Sequence, residues 1–150
     1  MRIRKQRSVV FSVVLVILLV GCAGTGPVRA IDPEEMIKLE SNVIFLTAKV
    51  DDLYRTSRIP EGVDDETILS LATEKDQNVR NALKEYAAKF KVESGHAVVL
   101  ICTGDGRQAL VEMSACSIGP DNKPWKSNTL VPCQFTLDAK YTERACRVAR

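Results

Sequence analysis

Five cysteines and one histidine are the residues of this chain best suited to chemistry. Cys102, Cys116, Cys133 and Cys146 crowd into the last third, and Cys22 stands apart near the start. Clustered cysteines either hold a metal or close disulfides. The gaps between the four contain 13, 16 and 12 residues with no C-x-x-C pair, which fits neither zinc sites nor thioredoxin-like or c-type haem motifs. No metal and no cofactor is expected. An even set in an exported chain closes two disulfides instead. His96 would serve as a general base or a ligand only with a positioned nucleophile and an orienting acid; at the start of an apolar run it reads as structural. "TGDGR" lacks the spacing of a phosphate-binding loop and reads as a hairpin turn. Asp51-Asp52 and Asp64-Asp65 are adjacent pairs, so they point to different helix faces and read as solvated surface or caps. No catalytic residue stands out, and no enzymatic activity is expected.

The expected fold is α+β: an N-terminal αα-hairpin, a small antiparallel β-hairpin or meander, and a C-terminal helix, pinned by two disulfides. "IDPEEMIKLESNVIFLTAKVDDLYRTSR" opens with Asp32 as cap, Pro33 at the first helical position and Glu35 completing a capping box. Met36, Leu39, Val43, Leu46, Val50 and Leu53 then recur at 3, 4, 3, 4, 3, a heptad seam. This seam packs against the other elements or against another chain. Ile44 and Phe45 lie off it and need a second apolar neighbour. "RIPEG" breaks the helix. A second helical segment follows, "DDETILSLATEKDQNVRNALKEYAAKF", with Val79, Leu83, Tyr86 and Phe90 on one side. Its polar "TEKDQN" is a candidate break, and Gly95 ends it.

The pattern then changes from helical to extended. "HAVVLICTGDGRQALVEMSAC" reads as a hairpin about Asp105-Gly106. "SIGPDNKPWKSN" is a polar loop holding Trp125. "TLVPCQFTL" reads as a third strand with Pro132 at an edge or bulge. Asp138 caps a final helix, "AKYTERACRVAR". The hairpin register sets Cys102 opposite Ala109, so Cys116 lies about 23 Å further along at ~3.3 Å per residue, beyond the ~7 Å Cα limit of a disulfide. That leaves 102–133 with 116–146, or 102–146 with 116–133. A meander favours the first, because it returns residue 133 toward the turn.

The N-terminus supplies an address. "MRIRKQR" has four basic residues and no acid, and Ser8 to Val20 form a thirteen-residue apolar run. A basic segment followed by a short apolar one is the signal-peptide pattern, and the run falls short of the ~20 residues a membrane span needs. The run closes on Leu19-Val20-Gly21-Cys22, which resembles the lipobox of bacterial lipoproteins. The resemblance implies that Cys22 is alkylated with diacylglycerol, that residues 1–21 are cleaved, and that acyl chains tether the protein to the bilayer. Ala23 follows the cysteine where the inner-membrane retention signal of that family has aspartate, which implies an outer-membrane anchor facing the periplasm. Residues 22–31 are then a flexible tether, and residues 32–150 a single periplasmic domain.

Cleavage turns the net charge from +2 to −2, so the basic full-length balance belongs to the targeting segment and gives no argument for nucleic acid. Residues 32–94 carry 14 acids against 9 bases, and residues 119–150 carry 3 against 6. Arg144, Arg147 and Arg150 share a face of the last helix and read as solvated. The expectation is a tethered, non-enzymatic binding or assembly module for an envelope protein or peptidoglycan. Its contact surfaces would be Ile44, Phe45 and the Trp125 loop. The alternative is an envelope hydrolase or small-ligand-binding protein using His96 and nearby carboxylates. A third expectation is self-association through the heptad seam.

Overall fold

The computed structural model describes residues 31–117, 125–126 and 131–136, and a compact unit begins at Asp32. Helix α1 runs Pro33–Arg55, α2 Asp65–Ala72 and α3 Gln77–Leu83; strands follow at β1 Tyr86–Glu93, β2 His96–Thr103, β3 Ala109–Ser114 and β4 Trp125–Lys126. The chain is α+β. Its sheet is antiparallel in the order β1-β2-β3-β4, with α1 laid across β2 and β3. Among the described residues no helix is long and apolar enough to cross a membrane.

Helix α1 starts where its cap dictates. The Asp32 carboxylate accepts the Glu34 N–H at 2.8 Å, with Pro33 behind it. Glu35 accepts the Tyr86 hydroxyl at 2.6 Å, which ties the helix start to the start of β1. The helix ends five residues before Pro60. Ser57 turns left-handed (φ 54°), Ser57 N–H donates to Tyr54 O and Arg58 N–H to Leu53 O, the paired bonds of a Schellman cap. Between these ends the heptad seam is spent inside the chain. Leu39, Val43, Leu46, Val50 and Leu53 are buried, and Met36 is half-buried against them. They meet Ala97, Val99 and Ile101 of β2 and Val111 and Met113 of β3.

The second helical segment differs from expectation in two ways. It divides at the polar patch, since α2 stops at Ala72 and Asp76 caps α3 by accepting from Asn78 and Val79 N–H. It is also shorter: Tyr86 to Glu93 form a strand, not the end of a helix. Tyr86, Ala88, Phe90 and Val92 fit the two-residue period as well as the helical one, and eight-residue pairing with β2 decides between them. The expected αα-hairpin is therefore a long helix with two short ones. At the N-terminus of α2, the Thr67 hydroxyl and N–H hold the Asp64 carboxyl below its ordinary range. At the sheet edge, Phe90 N–H is taken by Asp65 at 3.0 Å, which occupies one outward donor of β1.

Two tight turns set the register. Ser94 (φ 53°) and Gly95 (φ 79°) join β1 to β2 as a two-residue hairpin, the left-handed pair such a connection requires. In the second hairpin Cys102 pairs with Ala109 as expected, while Ile101 pairs with Val111, leaving Leu110 as a bulge. Gly104 is needed there for space: a Cβ would stand 2.5 Å from the Glu85 carbonyl oxygen. Beyond β3 the expected third strand is displaced. Trp125–Lys126, read as loop, pairs with Val111 and Glu112, whereas residue 132 makes only an isolated bridge to Gln108. The expected final helix, with Cys146 and its arginines, lies outside the described residues, as do Cys22 and the tether.

One disulfide joins described residues, Cys102–Cys133, across the turn end of the second hairpin. It is the pairing a returning chain favours. Cys116 is also disulfide-bonded. On the sheet face away from α1, residues 131–136 form a strap. Val131 O accepts from Ala109 N–H, Cys133 N–H donates to Arg107 O, and Lys89 Nζ donates to Cys133 O at 3.3 Å. The Phe135 ring lies 4.9 Å under the Lys91 ammonium.

Glu112 holds the end of this strap. Fully buried on β3, its carboxylate accepts the Thr136 hydroxyl at 2.6 Å and the Thr136 N–H at 2.9 Å. A buried carboxylate is tolerated only when satisfied in this way. Glu112→Ala is expected to cost about 3 kcal/mol, the combined order of a cavity and a broken charge-assisted pair. Urea unfolding checks this; a loss below about 0.5 kcal/mol would show that the strap is not held through Glu112.

Candidate functional site

The residues that the sequence nominates for chemistry are not gathered in one place. His96 is half-exposed at the start of β2, and its Nδ1 lies 3.4 Å from Asp51 Oδ1. Asp51 overturns its reading as solvated surface: it is buried, and Oδ1 accepts the Ala97 N–H at 2.9 Å. Sequence misses this because Asp51 falls one residue after Val50 of the apolar seam, where a carboxylate ordinarily faces water. Here it reaches the N–H at the start of β2 and braces helix to sheet. Neither His96 nor Asp51 lines either of the two grooves described below. Among the described residues no group of three or more His, Cys, Asp or Glu is placed to hold a metal.

Phe45 is different. It turns toward α2 and helps to line an open groove of about 250 Å³ between α1 and the α2–α3 corner. The apolar wall is Phe45, Leu53, Leu71 and Ala72, and Lys49, Asp52, Arg58, Glu74, Lys75 and Asp76 form the rim. Leu71 is 37% exposed, an unusual share for a leucine next to a core. The Lys49 ammonium stands 5.5 Å over the Phe45 ring, and Asp76 is committed to the α3 cap. Polar rim around an apolar centre is the anatomy of a protein-contact surface. Ile44, the other nominated residue, faces outward on α1 and is not in this groove. The Trp125 side chain lies outside the described residues.

A second groove of about 200 Å³ lies between the first half of α1 and the α3–β1 junction, and is lined by Asn42, Asn81, Lys84 and Tyr86 among others. Sequence reasoning nominates none of these four. Near the end of α1, the Tyr54 hydroxyl is held above its ordinary pKa by burial and by the Asp65 charge.

The fold and these surfaces define an α+β domain with a mixed-charge groove on its helical side. Compared with known proteins, the chain matches no family model, no curated protein and no solved structure.

Proposed function

We propose that this protein is a membrane-tethered bacterial envelope lipoprotein whose domain is a non-enzymatic binding or assembly module. Residues 1–21 are the signal peptide, Cys22 carries the acyl chains, and residues 22–31 are the leash. The anchor is in the outer membrane, facing the periplasm. Support for the tether comes from the lipobox resemblance and from the compact unit beginning at Asp32, ten residues after Cys22. The second disulfide joins Cys116 to Cys146, since Cys102–Cys133 uses the other pair and Cys22 is lipidated. A helix over residues 139–150, capped by Asp138, carries that last cysteine.

The observation that carries the binding reading is the Phe45–Leu71 groove, an apolar centre left open within a charged rim. It favours an envelope protein or cell-wall partner over a reacting substrate. The hydrolase alternative draws on the His96–Asp51 contact, but Asp51 Oδ1 already holds the Ala97 N–H. A photo-crosslinking residue at position 71, introduced into the full chain in its native envelope, is expected to capture one defined partner. The adduct should fall about tenfold when Phe45→Glu places a charge in the apolar wall, as hot-spot losses of ~1.4 kcal/mol or more do. Equal capture from exposed position 61, outside the groove, would remove the groove from the proposal.

A further inference from the structure

We propose that the second groove, between the first half of α1 and the α3–β1 junction, binds a neutral sugar: one pyranose ring, free or as a unit of a glycan chain. It shares no lining residue with the Phe45–Leu71 groove, so the two sites stand or fall separately. Its polar lining is led by two asparagines, half-buried Asn42 on α1 and exposed Asn81 on α3. Both sit inside helices, where asparagine is a poor residue because its amide competes for backbone groups. Neither amide caps a helix end or makes a hydrogen bond to another described residue. Two helices thus each carry an unfavourable residue into the wall of one groove, with no structural partner for it. A local rule broken twice at one place marks a site that serves a ligand.

The surroundings select the ligand's chemistry. Glu35 is engaged by the Tyr86 hydroxyl at 2.6 Å, and Lys38 is paired with Glu34 at 2.8 Å. Lys84 and Glu85, both exposed, are adjacent and of opposite sign. The groove therefore holds no excess of either charge, which favours a neutral ligand over an ion. What remains are the amides. Each sets an acceptor oxygen beside two N–H donors, a pattern that meets neighbouring hydroxyls, which both donate and accept. A volume of about 200 Å³ lies below the ~300 Å³ of pockets for drug-sized ligands and suits one six-membered ring. Leu39, Ala82 and Tyr86 complete the lining with carbon surface, against which the C–H face of such a ring can pack. A peptide would need an apolar anchor pocket or a strand edge for its backbone, and helix-borne amides supply neither. Few contacts in an open site give a single ring an affinity on the order of millimolar.

The test titrates purified full-length protein with glucose, with N-acetylglucosamine and with the linear trimer of the latter. Nitrogen-edited NMR follows the side-chain NH₂ signals of Asn42 and Asn81. The expected result is a saturable shift of both signals with at least one of these sugars. A trimer that binds about tenfold tighter than its monomer marks the ligand as part of a chain, and equal binding marks the free sugar; either supports the site. Asn81→Asp is isosteric and exposed, so it should keep the backbone spectrum while weakening binding about tenfold, since it exchanges two donors for a charge. Asn42→Asp should do the same, and Leu71→Arg, in the other groove, should leave binding unchanged. No saturable shift with any of the three sugars up to about 100 mM overturns the proposal. Binding that survives both asparagine variants also overturns it. Glucose 6-phosphate or alanyl-alanine binding about tenfold tighter than the neutral sugars overturns it too, in favour of an anion or a peptide.

Discussion

Cys22→Ser is expected to yield a longer protein with no lipid on it. The thiol is the only group at that position able to take a diacylglyceryl chain, and a hydroxyl is a far poorer nucleophile at neutral pH. In the resemblance that motivates the proposal, cleavage follows alkylation, so the variant should keep residues 1–21 and their thirteen-residue apolar run. Intact mass separates the outcomes. The unsubstituted chain should begin at Cys22 with added acyl mass, and Cys22→Ser should appear as the uncleaved 150-residue chain. A clickable fatty acid should label the first and not the second. The energetic scale is large, because each buried CH₂ contributes about 0.8 kcal/mol and even one acyl chain has more than ten of them. An unlabelled parent chain, or cleavage of the variant at residue 22, would end the lipoprotein reading. The domain itself is expected to fold in either form, since its core begins at Leu39.

Legibility varied with the kind of signal. Helix α1 is readable because its cap marks the start, its 3-4 spacing marks the period, and the two agree. The hairpin about Asp105-Gly106 was readable for the same reason: turn chemistry and flanking apolar runs coincide, and the Cys102–Ala109 register follows. Tyr86–Glu93 reads as helix in the sequence because Ala87, Ala88 and the lysines have helical propensity while the strand's alternate residues are only half-buried. What makes it a strand is β2, a non-local partner, together with Ser94-Gly95, a two-residue turn whose glycine reads in sequence as a helix stop. Asp51 and Glu112 were invisible as buried acids, since their partners are a backbone N–H 46 residues away and a threonine 24 residues away. The groove suffers from the same limit. Phe45 stands out in the sequence because it lies off the seam, but Arg58 and Leu71 join it only through the connection after Arg55.

The seam now carries a different prediction from the one its spacing suggests. If it joined separate chains, Val43→Asp would lower the mass of a folded domain. Val43 is instead completely buried, between Leu39 and Leu46 on one helix face and the apolar residues of β2 and β3. Among the described residues no Lys, Arg or His is buried, so the new carboxylate meets no buried basic partner. Neutralising or hydrating it requires α1 to lift from the sheet, which exposes most of the core at once. The expected cost is 4 kcal/mol or more, about the whole stability of a small domain. Circular dichroism should therefore show loss of the cooperative transition, and proteolysis should release fragments from residues 32–117 instead of a resistant core. Val43→Ala separates burial from charge: it removes two methyl groups and should cost only about 2 kcal/mol, with folding kept. A Val43→Asp chain that unfolds as cooperatively as the parent but sediments at lower mass would place the seam between chains.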